Sequence, residues 1–256
     1  MWRFGNDRRS DQLRAADARP EVIDHVHRSF AESLRALGRT RIVEKTPANT
    51  VRPAFVEAVF PDARFVHITR DGWAAVPSIS AFASRRASGF DARQVRKLRR
   101  RLQEAELVQM RHYVPELARR AAGRLGRRAP LYGPRLAGLR LVVDELGPLE
   151  AAALQWRTCI DAATVFGRSL PSARYLEVRL EQLDVTTMAQ VLEFCDLPAS
   201  SEVLDGFHAS YRSNEGRARR DLSEAERAIL APYIEPANAW LGYPTSAERT
   251  AVELPT

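Results

Sequence analysis

Lysine is nearly absent: of the 39 basic residues only Lys45 and Lys97 are lysines, and the other 37 are arginines. Such usage, with abundant alanine, fits a GC-rich genome and makes the lysine at position 45 informative. Cysteine is equally scarce. Cys159 and Cys195 are the only two in the 256-residue chain, and they offer neither a CxxC metal spacing nor a disulfide framework. They read as two buried small apolar residues in a reducing compartment. No stretch approaches the roughly 20 apolar residues of a membrane span, and Met1 to Asp7 is polar with no apolar signal core behind it. The expected location is the cytoplasm, with no membrane partner. A G-x-x-x-x-G-K-[ST] sequence is absent too, which argues against an ATP- or GTP-dependent kinase of P-loop type.

What the chain does have is a 45% hydrophobic content, enough for one substantial core, and a net charge of +7 with a pI near 10.0. The excess positive charge predicts an anionic partner, and nucleotides, sulfated products and nucleic acid all qualify. Val22, Val26, Phe30 and Leu34 recur every four residues, predicting an amphipathic helix from Pro20 to Leu37 that ends at Gly38. A strand is expected at Arg41–Glu44, then a turn at Thr46–Thr50. A helix presenting Phe55, Val56, Val59 and Phe60 follows, with Pro53 in its first turn. Arg64–Thr69 has the β-branched and aromatic character of a buried strand, and Arg70-Asp71-Gly72 opens another helix. Strand, helix, strand, helix in forty residues is the pattern of a parallel βαβ unit.

Further on, residues 84–128 read as Arg-rich helix, Tyr132-Gly133-Pro134 as an irregular connection, and Leu146–Phe166 as helix. A third strand is expected at Arg174–Arg179, a helix at Thr187–Cys195, and a last helical stretch from Leu222 to Leu241 closing at Gly242. The whole forms one α/β domain over residues 1–256, with a parallel sheet, helices on both faces and a helical insertion near 84–150.

In open parallel sheets, ligands bind beyond the carboxyl ends of the strands, where helix N-termini offer unpaired N–H groups to anions. Glu44-Lys45 and Arg70 end two expected strands and so are expected to face one crevice. Ser78, eight residues after Arg70, can share a phosphate with that guanidinium. His67 lies mid-strand on the face of Phe65 and Thr69, opposite Arg70, and reads as a packed structural histidine rather than a base. Arg96, Arg99, Arg100 and Arg101 lack the interleaved aromatics of a nucleic-acid surface and read as a solvated helix face.

Glu44-Lys45-Thr46-Pro47, the run from Phe60 to Gly72 and the position of Ser78 together resemble the sulfotransferases that use the nucleotide donor PAPS. The bacterial members, similar to heparan sulfate sulfotransferase domains, are the nearest in pattern. Ala153–Arg157, Tyr175–Leu183 and Asn214–Arg217 leading to Tyr243 are weaker echoes. The resemblance implies a sheet of P-loop nucleotide-binding type, PAPS as co-substrate without a metal, and sulfuryl transfer to a hydroxyl or amine acceptor. It implies Glu44 as general base, assisted by Lys45, with Arg70 and Ser78 on the 3′-phosphate and Arg217 in a nucleotide-holding loop. Two departures stand out. No Gly-rich loop for the 5′-phosphosulfate precedes Arg41, where Gly5 and Gly38 are the only glycines, and Ala218 stands where relatives often have tryptophan. A truncated or inactive relative and a basic nucleic-acid-binding module are the alternatives at this level.

Overall fold

A computed structural model describes residues 2, 4–6, 9–87, 132–211 and 222–245. The first helix, α1, spans Pro20–Leu37, with Pro20 at its first position and Gly38 closing it in the left-handed conformation. Its four-residue stripe is its buried face: Val22, Val26 and Phe30 pack with Phe55 and Val59 of α2, Pro53–Val59. Pro53 opens α2, where its missing N–H costs no bond.

The sheet is a parallel pair, β1 (Phe65–Thr69) and β2 (Tyr175–Arg179), in register from Phe65 opposite Tyr175 to Thr69 opposite Arg179. Between them in sequence come α3 (Gly72–Ala87), α4 (Leu139–Leu146) and α5 (Pro148–Arg168). After β2 come α6 (Val185–Phe194), α7 (Ser201–Ser210) and α8 (Glu224–Trp240), the last ending at a left-handed Gly242. The described chain is therefore a helix-rich α/β arrangement around a small parallel sheet. Helix α4 escapes the sequence reading because it is two turns long, with only Leu139 and Val143 buried. Most of the expected helical insertion, residues 88–131, lies outside the described residues.

The main core joins α3, α5 and α8 through Val76, Trp156, Ile160, Leu230 and Ile234. Gly72 permits this. A Cβ there would lie 2.6 Å from the Trp156 ring and 2.8 Å from Ile234, so only glycine lets the start of α3 come this close to both helices.

The strand expected at Arg41–Glu44 does not form, and residues 41–46 are irregular. Ile42 and Val43 have high strand propensity, but propensity needs a neighbouring strand to pair with and a face to bury. Among the described residues the sheet is β1 and β2 alone, and Val43 is 85% exposed. Tertiary contacts place the segment instead. Arg41 donates to the Cys195 and Asp196 carbonyls, and Arg64 donates to the Phe194 carbonyl, so two cations cap the C-terminus of α6. Cys195 and Cys159 are free and only half-buried, less enclosed than expected.

His67 is the packed residue its alternation predicts. It is buried, and its Nδ1 lies 2.8 Å from the Tyr175 hydroxyl, which itself donates to Glu177 Oε1 at 3.0 Å. Burial lowers its pKa below the usual 6.5; the Glu177 charge opposes this and Arg168 adds to it. The folded protein therefore resists protonating His67 more than the unfolded chain does. Its stability contribution is complete above about pH 6.5 and is lost as pH falls toward the depressed folded value, by up to ~1.4 kcal/mol per pH unit. His67→Gln should make the fall in urea-unfolding stability between pH 7.5 and 5.5 shallower than in the parent. Identical pH slopes would refute this role.

Candidate functional site

Glu44 sits in a pocket of donors built by a short stretch of chain. The turn Pro47–Val51 is a 3-10 helix with Ala48 and Val51 buried, and it folds back so that Thr46 Oγ1 and Asn49 Nδ2 both donate to the Glu44 carboxylate. Trp2 Nε1 adds a third bond at 3.3 Å. The polarity of this arrangement is set from behind. Arg52, only 2% exposed, lies over the Trp2 ring at 5.2 Å and donates from Nε to Asn49 Oδ1 at 2.9 Å. Because a guanidinium cannot accept, Asn49 must turn its oxygen to Arg52 and its NH2 to Glu44. Two donors occupy Oε1 and one occupies Oε2. A carboxylate has about four acceptor positions, so one position on Oε2 remains for a further proton or donor.

The aromatic cluster of Trp2 with Phe30, Phe55 and Phe60 holds this arrangement against α1 and α2. Lys45, the next residue, is exposed and makes no hydrogen bond or ion pair among the described residues.

The second group of residues stands where β1 ends. Arg70 follows the last residue of β1 and is half-buried, yet it has no hydrogen bond or ion pair among the described residues. Ser78 is exposed on α3, after Pro77, which removes one helix hydrogen bond at that point.

The start of α3 differs from the sequence expectation of free N–H groups. The Asp71 amide donates to Glu181 Oε1 at 3.1 Å, the Gly72 amide to Asn238 Oδ1 at 3.0 Å, and the Trp73 amide to Asp71 Oδ1 at 3.0 Å. Protein oxygens thus already satisfy the donors of the first turn, and an anion beside α3 has the side chains of Arg70 and Ser78 to meet. Glu181 in turn accepts from Tyr243 at 2.9 Å, and Tyr243 touches Thr69 Oγ1 at 3.2 Å. Burial pushes the Tyr243 hydroxyl pKa up, the bond to Thr69 works against this, and the Glu181 charge adds to the rise, so the hydroxyl stays a donor.

The expected site residues therefore fall into two separately built groups. No hydrogen bond or ion pair links Glu44 or Lys45 to Arg70 or Ser78 among the described residues, and of the two expected strand ends only the one at Arg70 follows an observed strand. A cleft of about 680 Å³ runs along β2, lined by Thr69, Arg168, Glu177, Arg179, Gln190 and Trp240. It begins one residue short of Arg70, and none of the four described site residues lines it. Arg217 lies outside the described residues.

Sequence reasoning missed the residues that shape both groups. Trp2 and Arg52 carry no motif. Asn238 did leave a trace: it falls four residues after Ile234, itself four after Leu230, so it is a polar residue on the apolar stripe of α8. Among the described residues no helix is long and apolar enough to cross a membrane, and no group of three His, Cys, Asp or Glu is placed to hold a metal ion.

Residues 6–126 match the model of the sulfotransferase family. This stretch contains Glu44, Lys45, Arg70 and Ser78. No match was found among curated proteins or among solved structures.

Proposed function

We propose that this chain moves a sulfuryl group from PAPS to a hydroxyl or amine acceptor. The observation that carries the reading is Arg70: a half-buried guanidinium with no partner among the described residues, directly after β1, inside the stretch that matches the family model. Burying part of a cation without a counter-charge is costly, and an anionic ligand removes that cost. A guanidinium grips phosphate through two parallel N–H bonds. Arg70 and the Ser78 hydroxyl are assigned to the 3′-phosphate, and Arg217 to the same nucleotide.

The donor supplies an activated sulfuryl group whose S–O bond to the nucleotide phosphate breaks as the acceptor oxygen or nitrogen bonds to sulfur, leaving PAP. Glu44 takes the acceptor's proton on the remaining position of Oε2, while Trp2, Thr46 and Asn49 keep the carboxylate oriented. Lys45 is assigned to neutralise charge on the transferring group. Holding reactants in line and stabilising developing charge carry most of such a reaction.

Arg70→Ala should weaken PAP binding by roughly 10- to 150-fold, the range for losing hydrogen bonds to a charged group. Titration calorimetry with PAP measures it, and parent and variant binding PAP equally would overturn the assignment. PAP should also raise the melting temperature of the parent.

A further inference from the structure

Arg70 is held by residues far away in sequence. The turn between β1 and α3 is gripped from two sides. From α8, Asn238 donates through Nδ2 to Asp71 Oδ1 at 2.8 Å and accepts the Gly72 amide on Oδ1 at 3.0 Å. From the 3-10 turn Leu180–Gln182 after β2, Glu181 accepts the Asp71 amide, and Tyr243 holds the other oxygen of that carboxylate.

Asn238 is fully buried, and both halves of its amide are used by the two residues that follow Arg70. An amide at a core position of a helix is expensive unless it bonds fully. Leucine in its place would extend the apolar stripe of Leu230 and Ile234 at no such cost. The residue is spent on the turn instead. Arg70 makes no bonds of its own among the described residues, so its backbone is what aims it. That backbone is fixed by the strand on one side and by the Asp71–Gly72 clamp on the other.

We infer that Asn238, supported by Glu181 and Tyr243, is a positioning residue for the donor site: it holds the β1–α3 turn so that Arg70 meets the 3′-phosphate. This rests on the function proposed above, and it adds that the α8 and Leu241–Tyr243 region tunes the donor's 3′-phosphate contact without touching the donor.

The test compares two probes, PAP and adenosine 5′-monophosphate, which lacks the 3′-phosphate. In Asn238→Ala, PAP should bind about 10-fold more weakly than to the parent while the affinity for adenosine 5′-monophosphate changes less than 2-fold. A merely destabilised protein would lose both ligands together. In steady state the KM for PAPS should rise with kcat changed less than 3-fold. Tyr243→Phe keeps the ring and its packing and removes only the hydroxyl, so it supplies a folded second variant. It should lose about 3-fold in PAP affinity, again selectively.

Unchanged PAP affinity in the folded variants, with Arg70→Ala impaired, would overturn the inference and leave the donor reading standing. Equal affinity of the parent for the two probes would remove the donor reading and the inference with it.

Discussion

Replacing Glu44 with glutamine should lower turnover by roughly 10²- to 10⁴-fold, the range contributed by a general base, while PAP affinity stays within about 3-fold of the parent, since no hydrogen bond or ion pair links Glu44 to Arg70 or Ser78 among the described residues. The reason lies in the donors around it. Trp2 Nε1, Thr46 Oγ1 and Asn49 Nδ2 all point hydrogen atoms at the carboxylate, and Arg52 prevents Asn49 from reversing. A glutamine has one oxygen and one NH2 group, so at least one of these donors would face a donor. The variant should therefore also lose about 1–2 kcal/mol of stability from the unmet bond. Denaturant unfolding separates that loss from the kinetic one. Turnover within 3-fold of the parent, measured on folded protein, would remove Glu44 from the mechanism.

The largest effect on stability is expected at Gly167. A methyl group there would overlap the ring of Tyr175. That ring has nowhere simple to go: its hydroxyl is tied to His67 on β1 and to Glu177 on β2, and Glu177 is paired with Arg168 at 2.8 Å. Moving the ring breaks the bond that satisfies buried His67. Gly167→Ala should cost about 2–4 kcal/mol, combining overpacking with a lost buried hydrogen bond. For a chain of this size that lowers the melting temperature by roughly 5–15 °C. Shrinking the obstacle should give part of it back, so Gly167→Ala with Tyr175→Leu should be more stable than the sum of the two single changes predicts. Additive effects would show that the ring is not the obstacle.

Several elements were legible because their signals are local. The four-residue recurrence from Val22 through Phe30 is a property of neighbours along one helix, and Gly38 ends it by its own conformational freedom. Arg64–Thr69 and Arg174–Arg179 were readable as strands because each is a short run rich in β-branched, aromatic and other apolar residues, and they do pair. Arg41–Glu44 has the same kind of composition and is not a strand. Composition reports what a segment can do, whereas a strand exists only where another strand offers its backbone.

The region from Arg41 to Ser78 shows the same division. Sequence by itself determined the residue types and spacings that place Glu44, Lys45, Arg70 and Ser78 in the stretch matching the sulfotransferase-family model, since those motifs are contiguous and need no folding to be read. Only the tertiary structure decided how each is held. Trp2 and Arg52 orient Glu44 from outside its motif, and Asn238, more than 160 residues after Asp71, accepts the Gly72 amide at the start of α3 and donates to the Asp71 carboxylate. Hydrogen bonds between residues so far apart depend on where packing delivers each helix, and packing is a property of the whole core, written in no single stretch of the chain.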